Sequence, residues 1–194
     1  MAERVARRSG CEDNKTCRGS SMISTKKLIL VSILLVSSIG CDQTTKGIAK
    51  SSLQDAFPQS LLNGFVLLQY AENPGGMMSF GAGLHPEVRF WFLTVFVGVM
   101  LLGMFLFTIF SRKLTSLQIT ALTLIVGGGF SNLLDRIFND GHVVDFLNVG
   151  IGSLRTAIFN IADVVILLGT VLLLFATPFQ NGKAPVKTPE QPVE

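Results

Sequence analysis

The sequence predicts an all-α membrane protein: four transmembrane helices carrying a small extramembrane β platform on their outer side. Three observations point there. Of the 194 residues, 48% are hydrophobic and only 15% are charged, with mean hydropathy +0.51; an ordinary soluble domain is about a quarter charged. Apolar runs with few or no charges, long enough to cross a bilayer, recur along the chain. Between the first and second of them lies a segment, 47–87, that is too polar to span and is punctuated by turn residues.

Residues 1–25 are polar and basic, with Arg4, Arg7, Arg8, Lys15 and Arg18, and show no apolar period. They read as a disordered cytoplasmic extension, and Met22 reads as an alternative start. Lys26 and Lys27 then precede an apolar run, and the first span is expected at about 28–45. The same run, ending in Gly40-Cys41, resembles the signal peptide of a lipoprotein. Ser38 replaces the usual Leu, however, and further spans follow, so a helix is the better reading. Asp42 and Lys46 are four residues apart and pair across one helical turn.

In the 47–87 platform, Phe65-Val66-Leu67-Leu68-Gln69-Tyr70 predicts β-structure and Asn73-Pro74-Gly75-Gly76 predicts a turn. Residues 90–110 and 114–134 hold no charge and form the second and third spans. Gly127-Gly128-Gly129 allows close helix approach. The fourth span is expected at 157–177, interrupted only by Asp163. The Pro-rich tail, 178–194, reads as disordered and cytoplasmic.

Charge sets the predicted topology. With the N-terminus inside and four spans, eleven of the sixteen Lys and Arg fall inside and five outside, so both termini are expected in the cytoplasm. Asp42, the platform, Asp135, Asp145 and the start of the fourth span then share one outer surface.

Ionisable groups at the ends of spanning runs are costly and mark candidate sites. Asp145 reads as a residue of the outer loop. Asp163 reads as lying about one turn inside the fourth span, on the same face as Asn160. If their carboxyls meet, like-charge repulsion makes them share a proton. Such a pair activates water with its ionised member and protonates the scissile amide with the other. That is aspartic peptidase chemistry, and it needs no metal or other cofactor. Blander readings compete at each position. A lone carboxylate near a span end is often a solvated group, Asp135-Arg136 reads as a salt-bridged brace, and Asn132 and Asn160 read as interhelical hydrogen-bonders. His142 reads as a loop residue, and Trp91 and Tyr70 as interface residues.

Other functions fit less well. Nucleic-acid binding is excluded because no basic face is interleaved with aromatics. Cys11, Cys17 and Cys41 lack ligand spacing, and His85 and His142 are far apart, which argues against a zinc site. A proton-coupled transporter requires polar groups at mid-depth, where the second and third spans are nearly bare. A non-catalytic scaffold leaves two separated aspartates unexplained.

At these residues the sequence resembles bacterial lipoprotein signal peptidase (type II signal peptidase, aspartyl endopeptidase family A8). The pieces are Asp42-Gln43-Thr44-Thr45-Lys46, Glu72-Asn73-Pro74-Gly75, Gly127-Gly128 with Ser131-Asn132-Leu133-Leu134-Asp135-Arg136, His142-Val143-Val144-Asp145-Phe146, and Phe159-Asn160-Ile161-Ala162-Asp163. They follow the family's order across 26–177. The resemblance implies an inner-membrane endopeptidase that removes signal peptides from diacylglyceryl-modified prolipoproteins by cutting just before the lipidated cysteine. It implies Asp145 and Asp163 as the catalytic pair, and substrate-binding or support roles for Asp42, Lys46, Asn73, Gly75, Asn132, Asp135, Arg136 and Asn160. It also implies inhibition by globomycin-type cyclic peptides. Two features depart from the pattern: Gly76-Met77-Met78 after the platform turn, and a slightly long Asn139-Asp140 loop.

Overall fold

The computed structural model describes residues 24–76 and 79–176. Residues 1–23 of the expected extension and the tail after Ala176 lie outside the described residues, as do Met77 and Met78. Helix α1, Thr25–Leu53, runs well past the apolar stretch. Its continuation is stabilised by packing: Ala49 and Leu53 are buried against Phe146, with Leu68, Tyr70, Leu147 and Ile161 around them. Helix α2, Pro86–Arg89, leads through a π-helical stretch, Phe90–Phe96, into α3, Val97–Phe110. Pro86 occupies the first turn, where its missing N–H costs nothing. Helix α4, Ser116–Phe138, starts at a capping box in which Thr115 accepts from Gln118 N and the Gln118 side chain accepts from Thr115 N. Helix α5 is Ile161–Ala176.

By length and composition, three helices are able to cross a membrane: Thr25–Leu53, Pro86–Phe110 and Ser116–Phe138. The 16 described residues of α5 form a shorter apolar helix. Helix α4 is the centre of the bundle. Half of its apolar window is buried, against 17% for α1 and 22% for Pro86–Phe110. It contacts α5, α1 and α3 in turn. Its closest neighbour is α5, and glycine makes that approach possible. A Cβ on Gly128 would lie 2.6 Å from Ala162 O, and one on Gly169 would lie 2.7 Å from Ala121 O.

The strands form one antiparallel sheet in the order β1-β2-β3-β4: Gln59–Leu61, Val66–Asn73, Val143–Ile151 and Leu154–Arg155. Half of this sheet comes from beyond α4, in a region that the platform reading of 47–87 did not include. Val143-Val144-Asp145-Phe146-Leu147 is rich in the β-branched and aromatic residues that favour strands. Asp145 is therefore a strand residue paired with Ala71, not a loop residue. Strand β2 carries a bulge between Leu68 and Ala71, immediately before that pair.

Candidate active site

The site is built where β3 and the start of α5 meet the C-terminal halves of α1 and α4. Asn160 immediately precedes α5 rather than lying inside it. Its Oδ1 accepts from Asp163 N at 3.0 Å, while Asp163 Oδ2 accepts from Asn160 N at 3.2 Å. This is a reciprocal cap that satisfies helix N–H groups otherwise left without partners. Asp163 thus sits in the first turn, where the helix dipole favours its charge. A second cap comes from α1: Asp42 Oδ1 accepts from Ala162 N at 2.7 Å.

Asn160 also reaches the other carboxylate. Its Nδ2 donates to Asp145 Oδ1 at 2.6 Å, to Asn132 Oδ1 at 3.2 Å and to Val144 O at 3.3 Å. Asn132 Nδ2 donates to Asp163 Oδ1 at 3.1 Å. Two asparagines from different elements therefore tie both carboxylates into one hydrogen-bonded unit. Asn160 is fully buried, where an amide without partners would be expensive.

Behind this unit lies a buried charge cluster. Lys46 Nζ is 2.7 Å from Asp42 Oδ2, 2.9 Å from Asp135 Oδ2 and 2.8 Å from Asn132 Oδ1. Lys46, Asp42 and Asp135 are all 4% exposed or less. Ser131 Oγ donates to Asp42 Oδ2 at 2.7 Å, and Gln43 Nε2 donates to Asp135 Oδ1 at 2.7 Å. Asp135 Oδ2 also accepts from Val144 N at 3.1 Å, which fixes β3 beside Asp145.

The turn after β2 closes the remaining side. Asn73 Nδ2 donates to Asp145 Oδ2 at 3.0 Å, and its Oδ1 accepts from Gly75 N at 2.9 Å. Gly75 has no room for a side chain, since a Cβ there would lie 2.6 Å from Ser79 O. Arg136 donates from Nη2 to Gly75 O at 2.8 Å and from Nη1 to Asn132 O at 3.3 Å, and its Nε is buried without a hydrogen-bond partner among the described residues.

Burial pushes the Asp145 carboxyl up to about 6, and the nearby Asp163 charge adds to the rise. Hydrogen bonds from Asn73 and Asn160 and the charge of Lys46 oppose it. Two carboxylates joined through one asparagine, one of them titrating near neutrality, can divide the roles of acid and base.

All ten site residues named from the sequence fall in this one network: Asp42, Lys46, Asn73, Gly75, Asn132, Asp135, Arg136, Asp145, Asn160 and Asp163. Gln43 and Ser131 belong to it too. Their signal was only that a polar side chain sits in an apolar run beside Asp42 or Asn132. His142, read as a loop residue, contacts Asn139 O at 3.3 Å, at the turn after α4.

The sequence model of the family described as Signal peptidase (SPase) II matches residues 34–179. The lipoprotein signal peptidase of Desulforapulum autotrophicum is 32% identical over 164 residues, covering 82% of this chain and 98% of that protein. That of Acinetobacter baumannii is 37% identical over 152 residues, covering 78% and 85%. That of Caldicellulosiruptor bescii is 34% identical, covering 78% and 92%. A bacterial membrane enzyme solved by the in meso method at 2.3 Å superposes with a TM-score of 0.64 at 22% identity, over 84% of this chain and 94% of that one, which is a likeness of fold. With its family model matched over most of its length and relatives more than 30% identical spanned over most of theirs, this chain belongs to the lipoprotein signal peptidase family, signal peptidase II.

Proposed function

We propose that the chain is a membrane aspartyl endopeptidase that removes signal peptides from diacylglyceryl-modified prolipoproteins, cleaving just before the lipidated cysteine. Asp145 and Asp163 are its catalytic pair. The observation that carries the reading is the shared asparagine: Asn160 holds Asp145 Oδ1 through its side chain and Asp163 Oδ2 through its backbone N–H.

In this mechanism the pair holds one proton. The ionised carboxylate, Asp163, takes a proton from a water whose oxygen attacks the scissile carbonyl carbon. Protonated Asp145 hydrogen-bonds the carbonyl oxygen and gives it its proton as the tetrahedral intermediate forms. On collapse one hydroxyl of the intermediate returns its proton to Asp145 as the carbonyl re-forms, the C–N bond breaks, and the proton held by Asp163 passes to the leaving nitrogen of the cysteine. Lys46, Asp42, Asp135 and Asn132 support the pair, while Asn73, Gly75 and Arg136 form the wall that the extended peptide meets. Strand β1 covers β2 only at Val66, Leu67 and Leu68. The β2 edge from Gln69 to Asn73 is left for an extended segment to pair with.

The membrane arrangement in this reading has α5 as a fourth span, both termini in the cytoplasm and the pair near the outer face of a bacterial inner membrane. The excess of Lys and Arg near the opposite ends of α1 and α3 supports it. Membrane lipid surrounds the bundle, and globomycin-type cyclic peptides block the pair.

The test is cleavage of a purified lipidated prolipoprotein. Asp145→Asn and Asp163→Asn should each lower the rate about 1,000-fold or more, within the range that acid–base groups supply, while the protein still inserts and folds. A globomycin-type peptide should stop cleavage and EDTA should not. Normal processing by either variant would refute the assignment.

A further inference from the structure

A second groove lies on the back of the bundle. Helix α4 contacts both α1 and α3, and a cleft opens where α1 and α3 flank it. The cleft has a volume of about 300 Å³ and is walled by Leu35 and Ile39 of α1, Leu102 and Phe105 of α3, and Val126 and Phe130 of α4. It does not belong to the candidate active site. Gly128 and Asn132 mark the α4 face turned toward α5 and the carboxylates. At 100° per residue, Phe130 points roughly 160° away from both.

Beyond this cleft, on the side away from the carboxylates, the end of the bundle is basic. Lys26 and Lys27 begin α1, and Arg112 and Lys113 follow α3. The two ends are held together there, because Lys27 Nζ donates to Ile109 O at 2.9 Å and to Ser111 O at 2.8 Å. Among the described residues, both ion pairs belong to Lys46, so none of these four cations has a carboxylate partner there. Helical rise puts Leu35 roughly 12 Å from Lys27 and Phe105 roughly 8 Å from the end of α3 at Phe110, just before Arg112. One leaflet of hydrocarbon is roughly 15 Å deep. A headgroup at the basic end would therefore place its acyl tail in the cleft.

We propose that this groove binds one anionic glycerophospholipid, with its phosphate at Arg112 and Lys113 and an acyl chain against α4. Basic pockets between helices hold such headgroups, and the apolar wall leaves the chain nothing to hydrogen-bond. The polar stretches at the two ends of the sequence are unsuited to this wall, which leaves lipid or a second copy as occupants; the cations favour lipid.

The experiment is native mass spectrometry of the full chain, titrated separately with phosphatidylglycerol and phosphatidylcholine of the same chain length. One phosphatidylglycerol should bind at least about tenfold more tightly than phosphatidylcholine. The double variant Arg112→Gln, Lys113→Gln should lose that preference, because each cation near an anionic headgroup contributes appreciably. Leu102→Trp should reduce the binding of both lipids by filling the cleft. Its cleavage rate on a lipidated prolipoprotein serves as the control for folding. Equal affinity for the two lipids, unchanged binding in both variants, or a dimer that Leu102→Trp dissociates would overturn the proposal.

Discussion

Lys46 Nζ lies 2.9 Å from Asp135 Oδ2 inside a cluster sealed from solvent. Its other carboxylate, Asp42, is 2.7 Å away. Each of the two acids then holds a backbone N–H beside one member of the proposed pair: Val144 N, next to Asp145, and Ala162 N, next to Asp163. One cation thus sets the position of two elements that are distant in sequence.

Replacing Lys46 with Met leaves Asp42 and Asp135 buried without their counter-charge. Breaking one partner of a buried ion pair costs about 3–5 kcal/mol. The variant should unfold at lower temperature in detergent and lose cleavage. Wild-type thermal stability in Lys46→Met would show that the cluster does not hold the fold together.

Asp145 gives a pH prediction with a definite sign. Its carboxyl holds a proton up to about pH 6, whereas its ordinary value is 3.8. The folded state therefore binds more protons than the unfolded chain between these values, and stability should fall as pH rises through that window. In the proposed mechanism catalysis needs the proton on Asp145, so kcat/KM should decline above about pH 6. Asp145→Asn should remove Asp145's own contribution to the pH-dependence of stability between 3.8 and about 6, making the slope shallower than in wild type. A kcat/KM profile that stays flat from about pH 5 to about 8 would count against Asp145 as the acid.

Much of this was legible in the sequence because lipid makes polar groups conspicuous. Asp42 ends an apolar run, Asn132 and Asp163 interrupt one, and an unsatisfied polar group there is costly. The strand character of Asp145 was harder to read, because Val143 to Ile151 has no charge pattern to separate it from a connecting loop. Its pairing with Val66–Asn73 is long-range and leaves no local mark. The start of α5 was misplaced for a related reason. The apolar run begins before the helix does, and only the reciprocal bonds of Asn160 and Asp163 define the boundary. Gln43 and Ser131 were present in the motifs, but a side chain one residue from a charged one carries no geometry until helices are packed.

The α4–α5 contact should control the pair from a distance. A Cβ at Gly128 would lie 2.6 Å from Ala162 O and 2.8 Å from Ile166 Cγ1. Backbone cannot rotate away as a side-chain tip can, so Gly128→Ala must push the first turn of α5, with Asp163, off α4. A misplacement of about 1 Å costs about 100-fold in rate. The loss should appear in kcat, with the protein still inserted and monodisperse. An unchanged kcat would mean that the start of α5 shifts without consequence.

Asn160 offers a way to separate capping from positioning. Serine at this position still accepts from Asp163 N and caps α5, but it is too short to reach Asp145 as Asn160 Nδ2 does at 2.6 Å. Asn160→Ser should therefore keep the helix cap while kcat drops. Asn160→Ala should lose the cap as well, and unfold more readily than the serine variant. The pH profile distinguishes this from a merely structural role. Asp145 loses a hydrogen bond that favours its charged form, so the decline in kcat/KM should move to higher pH in both variants. If activity falls while that limb stays in place, Asn160 acts on the helix alone and not on the carboxyl it touches.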